Sequence, residues 1–133
     1  MTKKILNFLL VTVLAVAFAA CSDAKSEIRE AAEEANKECP IDMGYGMKVA
    51  SIEFDGENIV FTYDLGSMLN AADLESQKDV MKNAMLAEVK GSTDADINKL
   101  VEACRKAGAG MDFIFTDADG GSCKVHIAAD ELN

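Results

Sequence analysis

The sequence predicts an α+β domain, in which an antiparallel sheet of about four strands, formed by two hairpins, packs against helices on one face. Two observations predict this fold. Apolar and polar side chains alternate in four short segments, which form two pairs joined by turn residues. Before and between these pairs, apolar residues recur at intervals of three and four, as in amphipathic helices. The predicted order is helix, hairpin, two helices, hairpin.

The first helix is predicted to begin at Ser26, a suitable N-cap residue, and to end before Pro40. Proline disfavours helical geometry in the residue that precedes it, so Cys39 is the last residue that the helix can include. Glutamates cover most of its surface. Its apolar stripe, with spacings of four, three and four, consists of Ile28, Ala32, Ala35 and Cys39.

The first hairpin is predicted to pair residues 48–54 with residues 58–65. The Asp55-Gly56 dipeptide between them is typical of a tight turn. The preceding residues, 41–46, contain two glycines and are predicted to form a loop.

Two helices are predicted between the hairpins, one from about Ser67 to Lys90 and one from Thr93 or Asp94 to Gly108. The methionines of the first helix could form a binding groove, but a role in the core is favoured. The broad apolar face of that helix comprises Leu69, Leu74, Val80, Met81, Met85, Leu86 and Val89.

The second hairpin is predicted to pair residues 111–115 with residues 123–127. Its turn contains Asp117 and Asp119, which raise the alternative of a calcium loop. Such loops need further oxygen ligands and a terminal carboxylate, whereas this chain has Gly121 at the third ligand position and alanine at position 128. A hairpin turn explains the same residues, so we expect no metal site here.

Residues 1–20 have the pattern of a bacterial export signal. Lys3 and Lys4 precede an apolar stretch of sixteen residues, from Ile5 to Ala20. As a helix this stretch would span only about 24 Å, which is short of a hydrocarbon core of about 30 Å. A permanent transmembrane helix is therefore disfavoured.

The run Phe18-Ala19-Ala20-Cys21 resembles the bacterial lipobox, although Phe18 stands where that family prefers Leu. The resemblance implies that residues 1–20 are removed, that Cys21 is acylated (a palmitate-type modification), and that the mature protein is anchored by acyl chains. Residues 21–25 would then be a lipidated tether before a single domain of residues 26–133.

The residue after the cysteine is Ser22. Because an Asp at that position retains lipoproteins in the inner membrane of many bacteria, the resemblance implies the outer membrane. The alternative is ordinary cleavage after Ala19, which would release a soluble secreted protein with Cys21 as a free thiol.

The net charge is −10, and removal of Lys3 and Lys4 with the signal makes it −12. A field of this sign repels nucleic acid and anionic lipid headgroups. We therefore expect no nucleic-acid partner, and membrane contact through the acyl chains.

Three cysteines remain in the mature chain, Cys39, Cys104 and Cys123, and export exposes them to oxidising conditions. If the strands that follow Cys39 and Cys104 run in the same direction, both residues lie at one end of the sheet. We therefore predict a Cys39–Cys104 disulfide. Three buried thiols are the alternative.

His126 is the only histidine and alternates with Val125 and Ile127, so we expect it on the exposed face of the sheet. One histidine cannot build a multi-histidine metal site, and the sequence offers no partners for a catalytic triad. We predict no catalytic residues, no cofactor and no enzymatic activity; an unusual hydrolase is a minor alternative.

The sequence thus predicts a cell-envelope lipoprotein that binds an unidentified protein or small ligand through its sheet face or hairpin loops. The alternative is a structural or accessory subunit of an envelope complex that uses the Met-rich helix as its contact. The layout around Cys39-Pro40 and the first hairpin is similar to small secreted bacterial domains, a resemblance that implies no particular activity.

Overall fold

A five-stranded sheet with helices on one face forms the centre of the molecule. The computed structural model describes residues 24–133. The predicted signal peptide, the lipobox and Cys21 lie outside these residues. No helix within them is both long enough and apolar enough to cross a membrane.

Along residues 24–133, one helix is followed by three strands, three helices, two strands and a 3₁₀ helix. The strands are β1 (Ile41–Gly44), β2 (Met47–Phe54), β3 (Asn58–Asp64), β4 (Gly110–Thr116) and β5 (Ser122–Ile127). The helices are α1 (Ala24–Asn36), α2 (Ala71–Ser76), α3 (Lys78–Gly91) and α4 (Ala95–Ala107), followed by a 3₁₀ helix at Ala129–Leu132.

The strands lie side by side in sequence order, and neighbours are antiparallel except for β3 and β4. That central pair is parallel, in register from Asn58 opposite Gly110 to Asp64 opposite Thr116. A parallel pair needs a long crossover, which here contains α2, α3 and α4. The predicted α+β class is confirmed, but the sheet is mixed and has five strands instead of about four.

The additional strand is β1, in the segment predicted to be a loop. Gly44, Tyr45 and Gly46 have φ angles of 83°, 58° and 76° and form the turn between β1 and β2. The loop prediction was wrong because Ile41–Gly44 form a short strand beside β2, and Gly44, Tyr45 and Gly46 make the turn that joins the two strands.

The long helix predicted from Ser67 is two helices. Asn70 caps α2 by accepting a hydrogen bond from the amide of Ala72, and Gln77, at φ −113° and ψ 16°, separates α2 from α3. The predicted core role of Met81 and Met85 is confirmed. Leu69 and Val80 are exposed, which corrects the predicted apolar face.

The core lies between the helices and one face of the sheet. Its aromatic rings stack across the parallel pair, with centroids 5.1 Å apart for Phe61 and Phe113 and 5.0 Å apart for Tyr63 and Phe115. Alternate strand positions point to the opposite face. Most of them are half-buried or exposed there, among them Val60, Thr62, Ile114, Lys124 and His126, whereas Asp112 is buried. That second face carries no helix of the described chain.

Candidate functional site

The two ends of the sheet differ in what they carry. We call the end where β2 finishes and β4 begins the tether end, because Ala24, the first described residue, lies there beside Lys106 and Ala107. The other end, which we call the distal end, is built from the β1–β2 turn, the segment after β3 and the β4–β5 turn. The seven residues of β4 separate the two ends by about 20 Å.

The loops of the distal end are bonded to one another through their backbones. Leu65 donates to the carbonyl oxygen of Thr116 at 2.7 Å, and Ala118 donates to that of Gly66 at 3.0 Å. Gly66 also lies against the β1–β2 turn, because a Cβ at this position would be 2.7 Å from the carbonyl oxygen of Gly46. The distal end is therefore one connected surface.

Asp117 organises the β4–β5 turn. Its carboxylate accepts hydrogen bonds from the amides of Ala71 and Gly121, both at 2.8 Å, and of Asp119 at 2.9 Å. These donors, Ala71 first, hold the pKa of Asp117 below its ordinary range. Because both carboxylate oxygens accept backbone amides, the residues that suggested a calcium loop act as a hairpin turn.

Three apolar side chains are exposed at the distal end. Tyr45 is 74% exposed, Met68 59% and Leu69 37%. We call these three residues the distal patch. Tyr45 also adopts the left-handed conformation, which is uncommon for a residue other than glycine and is often found at functional positions.

Acidic residues surround the distal patch. Asp42 and Asp64 accept hydrogen bonds from the amides of Gly44 and Gly66, which places their carboxylates beside the two turns. Lys48 lies opposite both aspartates in the register of β2. Asp73 and Asp119 are exposed on the neighbouring helix and turn. The distal end thus combines apolar side chains with a negative rim.

A second cluster of polar side chains lies on the helix-free face of the sheet. Asp112 is 4% exposed and is the one buried polar or charged residue among residues 24–133. Its carboxylate contacts Nδ1 of His126 at 2.5 Å and Nζ of Lys124 at 3.6 Å. His126 points outward as predicted, but its carboxylate partner was missed.

The hairpin register could have found this partner, because residues 112 and 126 face each other when 113 pairs with 125. Nowhere in residues 24–133 do three or more His, Cys, Asp or Glu side chains converge as metal ligands would.

The three cysteines are separate thiols, with Cys104 and Cys123 buried and Cys39 half-buried. Burial raises the pKa of Cys104 to about 12. Burial, followed by the nearby carboxylate of Glu75, raises the pKa of Cys123 to about 11. Thiols with such values are poor nucleophiles at neutral pH.

The predicted pairing of Cys39 with Cys104 depends on strand direction. The predicted first strand, residues 48–54, is β2 and runs opposite to β4, so the parallel arrangement assumed for this pairing was wrong. The additional strand β1, which directly follows Cys39, does run in the same direction as β4. Both residues therefore lie towards the tether end, whereas Cys123 lies at the distal end of β5. The disulfide itself stays a prediction.

Comparison with known proteins places the chain in a family. It belongs to the family described as a domain of unknown function (DUF8479), whose sequence profile matches residues 22–124. No curated protein matches the sequence significantly.

Two solved structures share the fold. One is a secreted-protein candidate of Pseudomonas aeruginosa, with a TM-score of 0.60 and 14% identity over 86% of this chain and 100% of that one. The other is the pilotin EpsS of the Vibrio vulnificus type 2 secretion system, with a TM-score of 0.54 and 14% identity over 83% and 92% of the respective chains. At 14% identity, both similarities show a shared fold.

Proposed function

We propose that this chain is a lipid-anchored, non-enzymatic accessory protein of the cell envelope that binds another protein through the distal patch. The observation that carries this proposal is the position of the patch. Tyr45, Met68 and Leu69 are exposed at the end of the sheet opposite Ala24. Ala24 follows the proposed acylation site, Cys21, by only three residues.

The geometry suits an anchored protein. Three residues span about 10 Å at most, so acyl chains on Cys21 would hold the tether end close to the membrane surface. The distal patch would then lie about 20 Å further away, facing the aqueous side. The resemblance to bacterial lipoproteins favours the outer membrane as the site of anchoring, because Ser22 stands where many inner-membrane lipoproteins have Asp.

The chemistry of the distal end indicates the kind of partner. When a partner covers apolar side chains that are exposed in the free protein, their burial stabilises the complex, by about 1.5–3 kcal/mol for a fully buried Leu or Met. The carboxylates of Asp42 and Asp64 beside the patch favour lysine or arginine on the partner. We therefore propose a protein segment with apolar anchor residues flanked by basic ones.

The structural neighbours support an accessory role. One protein of this fold is a pilotin of a secretion system and another is a candidate for secretion. For this chain the contact would be the distal patch and not the Met-rich helix, because Met81 and Met85 are buried in the core.

Site-specific photo-crosslinking in intact envelopes tests the proposal. A photoreactive amino acid at position 68 should give one discrete crosslinked adduct. The same amino acid at position 80 is the matched control, because Val80 is 69% exposed but lies on α3 outside the patch. Equal adducts at both positions, or none at position 68, would contradict the proposal.

The protein recovered in that adduct then allows a quantitative test. Met68→Asp should weaken the affinity of this chain for that partner by roughly 10- to 100-fold, because the complex loses the burial of one apolar side chain. Val80→Asp should change the affinity less than about twofold. Equal effects of the two substitutions would show that the patch is not the contact surface.

A further inference from the structure

The tether end carries a surface depression of about 560 Å³ with an unusual charge. Its charged lining residues are Lys25, Arg29 and Lys106, and all three are basic. The full chain has 23 acidic and 13 basic residues. Without Asp23, Lys3 and Lys4, residues 24–133 contain 22 acidic and 11 basic residues, a ratio of two to one. A lining whose charged residues are all basic therefore contrasts with the acidic composition of the chain.

The contacts of Arg29 and Lys106 with neighbouring residues leave both cations able to bind a ligand. The guanidinium carbon of Arg29 lies 5.4 Å from the ring centroid of Phe54, a contact that orients the side chain while leaving its N–H donors unused by the ring. Lys106 is 4.0 Å from Glu102, but Arg105 holds the same carboxylate at 3.0 Å. The ammonium group of Lys106 is thus only weakly neutralised.

The depression lies close to the proposed membrane anchor. Lys25 is four residues from Cys21, so a lipid-anchored chain would hold the depression within about 15 Å of the membrane surface. Tethering raises the effective concentration of the surface around the depression. Basic residues interact with an anionic membrane over about a Debye length, roughly 8 Å at physiological ionic strength.

From these observations we propose that Lys25, Arg29 and Lys106 bind the phosphate groups of anionic phospholipids in the membrane to which the protein is anchored. This inference rests on the proposed lipid anchor. It adds a second membrane contact to the predicted acyl chains. A consequence is a fixed orientation, with the tether end against the headgroups and the distal patch directed away from them.

Lysine footprinting of the acylated mature protein in nanodiscs tests the inference. One nanodisc contains phosphatidylcholine only, and the other contains phosphatidylglycerol in addition. Lys25 and Lys106 should be acetylated about fivefold more slowly in the anionic nanodisc, the factor expected for a basic residue at an anionic surface. Lys48, at the distal end, is the internal control and should react equally in both.

High salt should remove the protection, because the contact is electrostatic. In addition, Arg29→Glu should remove the protection of Lys25 and Lys106 in the anionic nanodisc, whereas Lys48→Glu should leave it intact. Equal protection in both nanodiscs would mean that proximity alone slows the reaction, and it would overturn the inference, as would no protection.

The outcomes also separate this inference from the proposed function. An acylated protein that crosslinks its partner from position 68 but shows no lipid-dependent protection would contradict headgroup binding alone. A chain that carries no acyl group would contradict the anchor on which both proposals rest.

Discussion

Asp112 and His126 face each other across the β4–β5 ladder, with Oδ1 of Asp112 at 2.5 Å from Nδ1 of His126. The carboxylate is almost completely buried, whereas the histidine side chain is 47% exposed. A buried carboxylate is costly unless it is paired, and His126 and Lys124 supply the partners from the edge strand. The pair therefore explains how an aspartate is accommodated in the centre of the sheet.

Removing the histidine should destabilise the fold. His126→Ala should lower the free energy of unfolding by about 1–2 kcal/mol, because it deprives the buried Asp112 of its closest partner. Lys124→Ala is the matched control and should cost no more than about 0.5 kcal/mol, since that ion pair is longer and more exposed. Urea denaturation measures both values, and equal costs would contradict a specific role for His126.

Acid should destabilise the protein through its turn carboxylates. Backbone amides, those of Ala71 and Gly121 foremost, lower the pKa of Asp117, and backbone amides also lower the pKa of Asp55 and Glu131. A carboxyl whose pKa is lower in the folded than in the unfolded state stabilises the fold above its unfolded pKa. That stabilisation is lost as the pH falls through the folded pKa.

The urea concentration at the unfolding midpoint should therefore decrease as the pH is lowered from about 5 to about 3. Asp117→Asn keeps an acceptor oxygen but does not titrate, so the variant should lose less stability over this range than the wild type. A wild-type midpoint that is independent of pH, or an identical slope in the variant, would disprove this account of the turn.

Gly66 should resist substitution. Its φ angle is +60°, and a Cβ would lie 2.7 Å from the carbonyl oxygen of Gly46, so Gly66→Ala introduces both strain and a backbone clash. We expect a loss of about 1–3 kcal/mol in thermal or urea unfolding.

Gly91→Ala serves as the control for Gly66→Ala. A Cβ at Gly91 meets no atom within 4 Å, and this glycine is the last residue of α3. The substitution should be neutral or slightly stabilising, because alanine favours the helix more than glycine does. Two equally tolerated substitutions would argue against the close contact of the two loops.

Protein purified from the envelope should contain the Cys39–Cys104 disulfide, with Cys123 reduced. Non-reducing peptide mass spectrometry detects the linked peptides directly. The bond closes a loop of 66 residues and should stabilise the fold by about 4 kcal/mol in the chain-entropy model. Cys39→Ser should remove that gain and Cys123→Ser should not. A different pair, or three reduced thiols, would reject the prediction.

Much of the fold could be predicted because the spacing of apolar residues and the positions of turn and capping residues indicate the same helices and strands along most of the chain. The alternation of Ile59, Phe61 and Tyr63 identifies a half-buried strand, and Asp94 and Gly108 mark the ends of α4 through their capping chemistry. These are local signals, so they can be read without knowledge of the tertiary structure.

The features that were missed depend on tertiary contacts. The strand β1 has only four residues, and its pairing with β2 is a non-local interaction that its glycine-rich sequence does not indicate. Val80 fits the apolar period of α3, but no element of the described chain covers it. Asp112 could be recognised as the partner of His126 only once the hairpin register was known.

The distal patch was also hidden in the sequence. Met68 and Leu69 belong to an apolar run that looked like the start of a helix, and only the cap at Asn70 leaves them in an exposed loop. The basic depression at the tether end joins residues of α1 and α4 that are far apart in the chain. Both surfaces form only when the chain folds, so no local sequence pattern predicts them.

Acylation of Cys21 is the most direct test of a lipid-anchored envelope protein. Cells producing the full chain, or its Cys21→Ala variant, are grown with radiolabelled palmitate. The wild-type protein should carry the label and the variant should carry none. A label that persists in the Cys21→Ala variant, or an unlabelled wild-type protein beginning at Ala20, would contradict the anchor.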